Sequence, residues 1–292
     1  MLEIKNLSIS YSGKPAVRQV SFAVQENETV CLVGESGSGK STIVKAVTGL
    51  LSSEGRIVEG EVFFDGMALH TFSEKELRQI RGRQIAMIYQ NAGRSLDPVM
   101  KIGKQFYEML CTKEKCSRKQ SDQKAAACMR QLSLRDPEKI LKSYPSMLSG
   151  GMNQRVAIAM AMVMEPRLIL ADEPTSAQDV TVQAELIQAL KKLKETTKAS
   201  LLLVTHSMGV VARMADKVGV MCRGCLVEWG HPEQILNHPV HPYTRELIGA
   251  ILHLDGRMPE TEKRDWSLSE HIWTETEPGH FAAWGKREEK NG

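Results

Sequence analysis

No segment limits the possible folds of this 292-residue chain as tightly as Gly34-Glu35-Ser36-Gly37-Ser38-Gly39-Lys40-Ser41. The pattern is G-x-x-x-x-G-K-[ST]. It follows an apolar run, Glu28–Val33, and opens a stretch of helical composition, Lys40–Leu51. Such a strand–loop–helix unit is built to hold an anion. Glycines let consecutive backbone N–H groups turn inward, and the following helix aims the positive end of its dipole at the same point. Lys40 supplies a cation for the β- and γ-phosphates of a nucleotide, and Ser41 a hydroxyl for Mg²⁺.

The remaining patterning agrees with an α/β chain. Strands are expected at Leu2–Ser10, Val17–Val24, Arg56–Phe64 and Gln84–Tyr89. A short helix is expected at Ser73–Arg81, opened by the capping box Ser73/Glu76. From about 99 to 163 the chain is rich in Lys, Gln, Ala and Met, which reads as several helices; the charge-dense part, 112–142, reads as a solvated helical face. After 167, strands and helices alternate: Arg167–Ala171, a helix at Val180–Thr197, Ser200–Thr205, a helix at Gly209–Ala215, then Val218–Met221. Alternating units of this kind imply a parallel sheet covered by helices. Past about 253 the pattern dissolves into charged residues, Trp and Gly, ending in a polar tail.

The run Leu168-Ile169-Leu170-Ala171-Asp172-Glu173 is an apolar strand ending in two carboxylates, and strand ends are where open α/β sheets hold ligands. Alone, the pair reads as a solvated turn. Beside the loop at 34–41 it reads as part of a nucleotide site, with Asp172 placed to hold Mg²⁺ and Glu173 to orient or deprotonate the attacking water.

Composition narrows the classes. A net charge of +3 does not argue for nucleic acid, whose phosphates call for a strongly basic face, and 5% aromatic content weakens a single-strand stacking reading. The N-terminus, Met1 to Ser10, lacks a signal-peptide core, and the longest apolar run, Ala157 to Met164, is far short of the roughly 20 residues a spanning helix needs. A cytoplasmic chain, unless a partner tethers it, is the expectation. Six cysteines without a secretion signal are expected to be reduced. Cys222 and Cys225 make one C-x-x-C without a second pair or nearby histidines, so a hairpin turn at Arg223-Gly224 is favoured over a redox or metal role.

The segment Leu148-Ser149-Gly150-Gly151-Met152-Asn153-Gln154-Arg155 resembles the signature motif of the ABC transporter ATPases. In that family two cassettes pair head to tail. The resemblance therefore implies ATP held at Gly34 through Thr42 of one chain and capped by Ser149, Gly150 and Gly151 of a second, identical or homologous, ATPase subunit. Other positions match in order. Tyr11 is similar to the aromatic that stacks on adenine, and Gln90 to the glutamine that senses γ-phosphate and Mg²⁺ and faces the membrane subunit. Ser176-Ala177-Gln178-Asp179 is similar to the loop after the acidic motif, with Gln178 where Leu is usual; Asp179 belongs to the expected nucleotide contacts. His206 is similar to the switch histidine on the γ-phosphate.

The implied fold is a P-loop ATPase core, a mixed or parallel sheet with an N-terminal antiparallel β-subdomain, spanning 1–252 with a helical subdomain inserted at about 92–163. Residues 253–292 form an extension without an assigned role. Ser95-Leu96-Asp97-Pro98, Met152–Arg155 and His238-Pro239-Val240-His241-Pro242-Tyr243-Thr244 are similar to the peptide and nickel importers. That resemblance implies two permease subunits, an extracellular solute-binding protein reached through them, and a place at the cytoplasmic face of the cell membrane. A non-transport assembly scaffold and an export ATPase stay open as alternatives. Asn153 stands where Arg is common and Ser207 where Asp is usual. Many members end in a cysteine-rich segment that binds an iron–sulfur cluster; here no cysteine follows Cys225, and cluster ligation needs thiolates, so none is expected.

Overall fold

The structure, a computed structural model, describes residues 1–89, 95–174, 180–252 and 271–285. In chain order the first elements are β1 (Leu2–Tyr11), β2 (Lys14–Val24), β3 (Thr29–Val33), α1 (Lys40–Thr48), β4 (Gly55–Phe64), β5 (Met67–Ala68), α2 (Glu74–Ile80) and β6 (Ile85–Tyr89). There follow α3 (Ile102–Lys113), α4 (Arg118–Gln131), α5 (Pro137–Lys142), α6 (Gly150–Val163), β7 (Leu168–Asp172), α7 (Val180–Thr197) and β8 (Ser200–Val204). The remaining elements are α8 (Met208–Met214), β9 (Lys217–Cys222), β10 (Cys225–Gly230), α9 (Pro232–Asn237), α10 (Pro242–Leu252), β11 (His271–Glu277) and β12 (His280–Gly285). They fall into two compact units, Met1–Val24 with Thr29–Thr71 and Val204–Gly292, and Gln25–Glu28 with Phe72–Leu203.

The first unit holds an antiparallel sheet in the order β2-β1-β4-β5. Its apolar side chains Leu2, Ile4, Leu7 and Ile9 are all buried, although the step from 4 to 7 breaks a period of two. The register shifts between Ile4 and Leu7, with Asn6 at φ 45°, so a bulge returns the second half of β1 to the buried face. The same unit holds β3 parallel to β9, with β9, β10, β12 and β11 continuing as antiparallel neighbours. Helix α1 turns Ile43, Val44 and Val47 inward and ends at Gly49 in the left-handed conformation, whose N–H returns to the Ala46 carbonyl.

In the second unit β6 and β7 pair in parallel, from Ile85 opposite Leu168 to Tyr89 opposite Asp172, and β8 follows β7. Leu168–Ala171 and Ser200–Val204 are buried without interruption, as strands covered on both faces require. The Lys- and Ala-rich stretch forms α3 to α6. The capping box at Ser73/Glu76 forms, as does a second at Ser117/Gln120. On α4 the charges pair at the surface, Arg118 with Asp122 at 3.0 Å and Lys124 with Glu114 at 2.5 Å. Among the described residues no helix is long and apolar enough to cross a membrane.

Past about 253 the sequence offers no legible pattern of elements, yet His271–Gly285 folds into a hairpin whose second strand joins β10, with Glu228 opposite Ala282 and Trp229 opposite Phe281. Its buried positions are His280, Ala282 and Ala283, so no large apolar side chain marks the inner face. The turn at Cys222–Cys225 is the hairpin expected: the two residues lie opposite each other, and Arg223 and Gly224 take φ of 46° and 87°, both in the left-handed region that a two-residue turn requires.

Candidate nucleotide site

Strand β3 delivers the chain into the glycine-rich loop at Gly34. Its φ of 145° is open to glycine, and a Cβ there would stand 2.1 Å from the Met221 carbonyl oxygen of β9. Gly39 closes the loop at φ 101°, where a Cβ would meet the Ala16 carbonyl oxygen at 2.7 Å. Both are places where only glycine lets two backbones approach. The loop is braced along its length: Ser38 N–H donates to the Glu35 carbonyl at 3.2 Å, and the Ser38 carbonyl accepts from Gly224 N–H, in the β9–β10 turn, at 3.1 Å. Gly39 caps α1 without any side-chain hydrogen bond, and the positive end of the helix dipole faces the loop.

Lys40 is 3% exposed. Its ammonium donates to the Gly34 carbonyl at 2.9 Å, the Glu35 carbonyl at 2.7 Å and Ser38 Oγ at 3.0 Å. A buried cation needs such acceptors. They keep the charge inside the loop, where a phosphate would lie. Ser41 and Thr42 follow on the first turn of α1, half-buried.

Two further expected residues belong to this unit. Thr205 N–H donates to the Leu32 carbonyl at 3.1 Å, so the chain leaves β8 beside the end of β3 that opens into the loop, and His206 emerges there exposed. Ser207 N–H bonds Thr205 Oγ1 at 3.0 Å, tightening the bend. Tyr11 ends β1 opposite Gly55; a Cβ on Gly55 would come within 2.6 Å of Tyr11 Cε1, so the ring lies across the glycine backbone.

The second unit carries the acidic pair and the signature segment. Asp172 ends β7 and is half-buried. Glu173 follows with φ 46°, a left-handed conformation that costs a non-glycine residue of order 1–2 kcal/mol. The next residue is held: Gln154, 3% exposed on α6, donates from Nε2 to the Pro174 carbonyl. Ser149 caps α6, its hydroxyl accepting from Met152 N–H at 3.3 Å, while Ser149 and Gly150 stay exposed and a Cβ on Gly150 would meet nothing within 4 Å. A groove of about 680 Å³ between α4 and α5, lined by Arg118, Arg130 and Lys142 among others, holds none of these residues.

Gln90, Ser176, Gln178 and Asp179 lie outside the described residues. Gln154 is a residue that motif reading missed as a structural agent: its only signal is an amide at a buried position of an otherwise apolar helix face. Among the described residues no three His, Cys, Asp or Glu side chains gather as a metal cluster.

The family model described as "ABC transporter" matches residues 17–176. The oligopeptide transport ATP-binding protein OppD of Bacillus subtilis (strain 168) is 42% identical over 260 residues, 87% of this chain and 73% of that protein. The metal-staphylopine import system ATP-binding protein CntD of Staphylococcus aureus (strain NCTC 8325 / PS 47) is 40% identical over 250 residues, 85% of this chain and 92% of that protein. A solved ATP-binding cassette, a dimer in a post-hydrolysis state with ADP and phosphate, is 30% identical with a TM-score of 0.70, covering 80% of this chain and 99% of that one. A family model over more than half of the chain, and relatives of this identity and coverage, lead to one conclusion: the chain belongs to the ABC transporter family, as an ATP-hydrolysing subunit.

Proposed function

We propose that the chain energises import of peptides or metal complexes through separate permease subunits. Likeness at 40–42% identity over 85–87% of the chain to subunits named for oligopeptide transport and metal-staphylopine import carries this reading. The segment 238–244, similar to that of peptide and nickel importers, supports import over export. The proposed organisation is an ATPase domain over 1–252, with the helical subdomain at about 92–163 and an extension at 253–292.

In this reading Lys40 and the N–H groups of Gly34 to Thr42 bind the phosphates, and Tyr11 stacks on adenine. Ser41, Asp172 and Gln90 would hold Mg²⁺; oxygen donors of this kind suit that hard cation. The ion would neutralise charge on the phosphates. Glu173 orients the attacking water, and its left-handed backbone supports a role that needs a set geometry. His206 contacts the γ-phosphate, and Asp179 joins the nucleotide contacts. Phosphoryl transfer needs positioning and charge stabilisation more than covalent help, which suits these polar groups.

Ser149, Gly150 and Gly151 serve a second ATPase subunit, head to tail, and its identity with this chain or homology to it is left to the assembly. The partners are that subunit, two permeases at the cytoplasmic face of the membrane and, through them, an extracellular solute-binding protein. Cluster chemistry has no support, since every cysteine lies at or before Cys225.

The test is Glu173→Gln in the full chain assembled with its permeases. ATP should stay bound while turnover falls by orders of magnitude. Unchanged hydrolysis would remove Glu173 from the mechanism, and transport coupled to neither peptides nor metal complexes in the wild-type assembly would overturn the cargo reading.

A further inference from the structure

The segment Pro239 to Tyr243 has no part in the functions above, yet it reaches the nucleotide loop. Tyr243 is the second residue of α10 and 4% exposed. Its hydroxyl accepts a hydrogen bond from Glu35 N–H at 3.1 Å, across 208 residues of sequence. That nitrogen belongs to the Gly34–Glu35 peptide, whose carbonyl oxygen accepts from the Lys40 ammonium at 2.9 Å. One peptide plane is therefore gripped at both ends, by Tyr243 at the nitrogen and by Lys40 at the oxygen. The plane starts at Gly34, a glycine at φ 145°, so a grip there has something to restrain.

Tyr243 is itself firmly held. Its N–H donates to His241 Nδ1 at 3.2 Å. Val240 N–H and His241 N–H donate to the two carboxylate oxygens of Glu228 on β10, at 2.8 and 3.0 Å. Arg245 Nε reaches back to the Pro239 carbonyl at 2.8 Å. Glu228 is fully buried and also takes His280 Nε2 of β12 at 2.7 Å. The strap thus hangs from a buried carboxylate, and a hydrogen bond from a rigid group costs little further ordering. Burial pushes the Tyr243 phenol pKa up, so the hydroxyl stays protonated and neutral beside the loop.

We propose that Tyr243 is a positioning residue for ATP: its hydroxyl orients the Gly34–Glu35 peptide, and through that carbonyl sets where the Lys40 ammonium stands. The inference rests on the reading of Gly34 to Ser41 as the ATP loop. Tyr243→Phe keeps the ring and removes only the hydroxyl. Thr244→Val is the control, because Thr244 Oγ1 is buried with no hydrogen-bond partner among the described residues.

The full chain is titrated with Mg-ATP by calorimetry, and amide exchange is read on the peptide carrying Glu35. Losing one net hydrogen bond should weaken ATP binding roughly 3- to 10-fold in Y243F. Exchange at Glu35 should quicken, and T244V should match wild type in both. A Y243F dissociation constant within twofold of wild type would overturn the proposal, as would unaltered exchange at Glu35. A lower melting temperature for nucleotide-free Y243F with unchanged affinity would make Tyr243 merely structural, and would overturn it too. Lys40→Ala separates the two readings: if it binds ATP as wild type does, the loop assignment fails, whereas loss of binding in K40A with none in Y243F strikes Tyr243 alone.

Discussion

Replacing Gly34 by alanine offers a sharp test of how the nucleotide loop is built. The new Cβ would lie 2.1 Å from the Met221 carbonyl oxygen, where carbon–oxygen contacts ordinarily begin near 3.3 Å, an overlap of about 1.2 Å. The oxygen has little room to recede. Met221 lies on β9, a strand with neighbours on both sides, β3 and β10, so moving it strains two ladders. Overpacking of this kind costs about 1–3 kcal/mol. The φ of 145° is a glycine conformation, and forcing an L-residue there costs about 1–3 kcal/mol more. The sum is about 2–6 kcal/mol. Gly37 of the same loop is the comparison: its φ is 82° and a Cβ there meets nothing within 4 Å, so Gly37→Ala incurs backbone strain alone, about 1–2 kcal/mol. Urea unfolding of the full chain, followed by fluorescence, should place G34A well below G37A, with ATP binding lost in G34A. If G34A proves no less stable than G37A, the close approach of loop and β9 is not what makes Gly34 necessary.

Two other outcomes follow. Glu228→Ala removes the acceptor of three donors, half-buried Val240 N–H and buried His241 N–H and His280 Nε2, and should cost about 3–5 kcal/mol in denaturant unfolding; a loss under 1 kcal/mol would show that the strap and hairpin do not depend on that carboxylate. Thiol labelling at pH 8 should modify exposed Cys111 first and spare Cys222, whose thiol burial pushes up to about 12, leaving about one thiolate in ten thousand; labelling of Cys222 as fast as Cys111 would refute this, because the thiolate is the reactive form.

Reading along the chain recovered the parts whose chemistry is local. The glycine loop, the acidic strand end and the helix opened by Ser149 each occupy a few consecutive residues whose types mark them, although the left-handed backbone of Glu173 is not among the things those types mark. The cap at Ser73/Glu76 and the turn at Arg223-Gly224 were legible for the same reason. The hairpin at 271–285 was not. Its inner positions are histidine and alanine, and its pairing partner, β10, is some fifty residues away in sequence, as the 52-residue separation of His280 from Glu228 shows.

Residue order by itself therefore marked the glycine-rich loop and the lysine within it, since glycine, lysine and serine at that spacing admit few other uses. Which groups steady the loop was left to folding. Tyr243 meets Glu35, and Gln154 meets Pro174, because packed strands and helices carry them there. Such bonds depend on distance in space, and no periodicity in the chain encodes a contact across 208 residues.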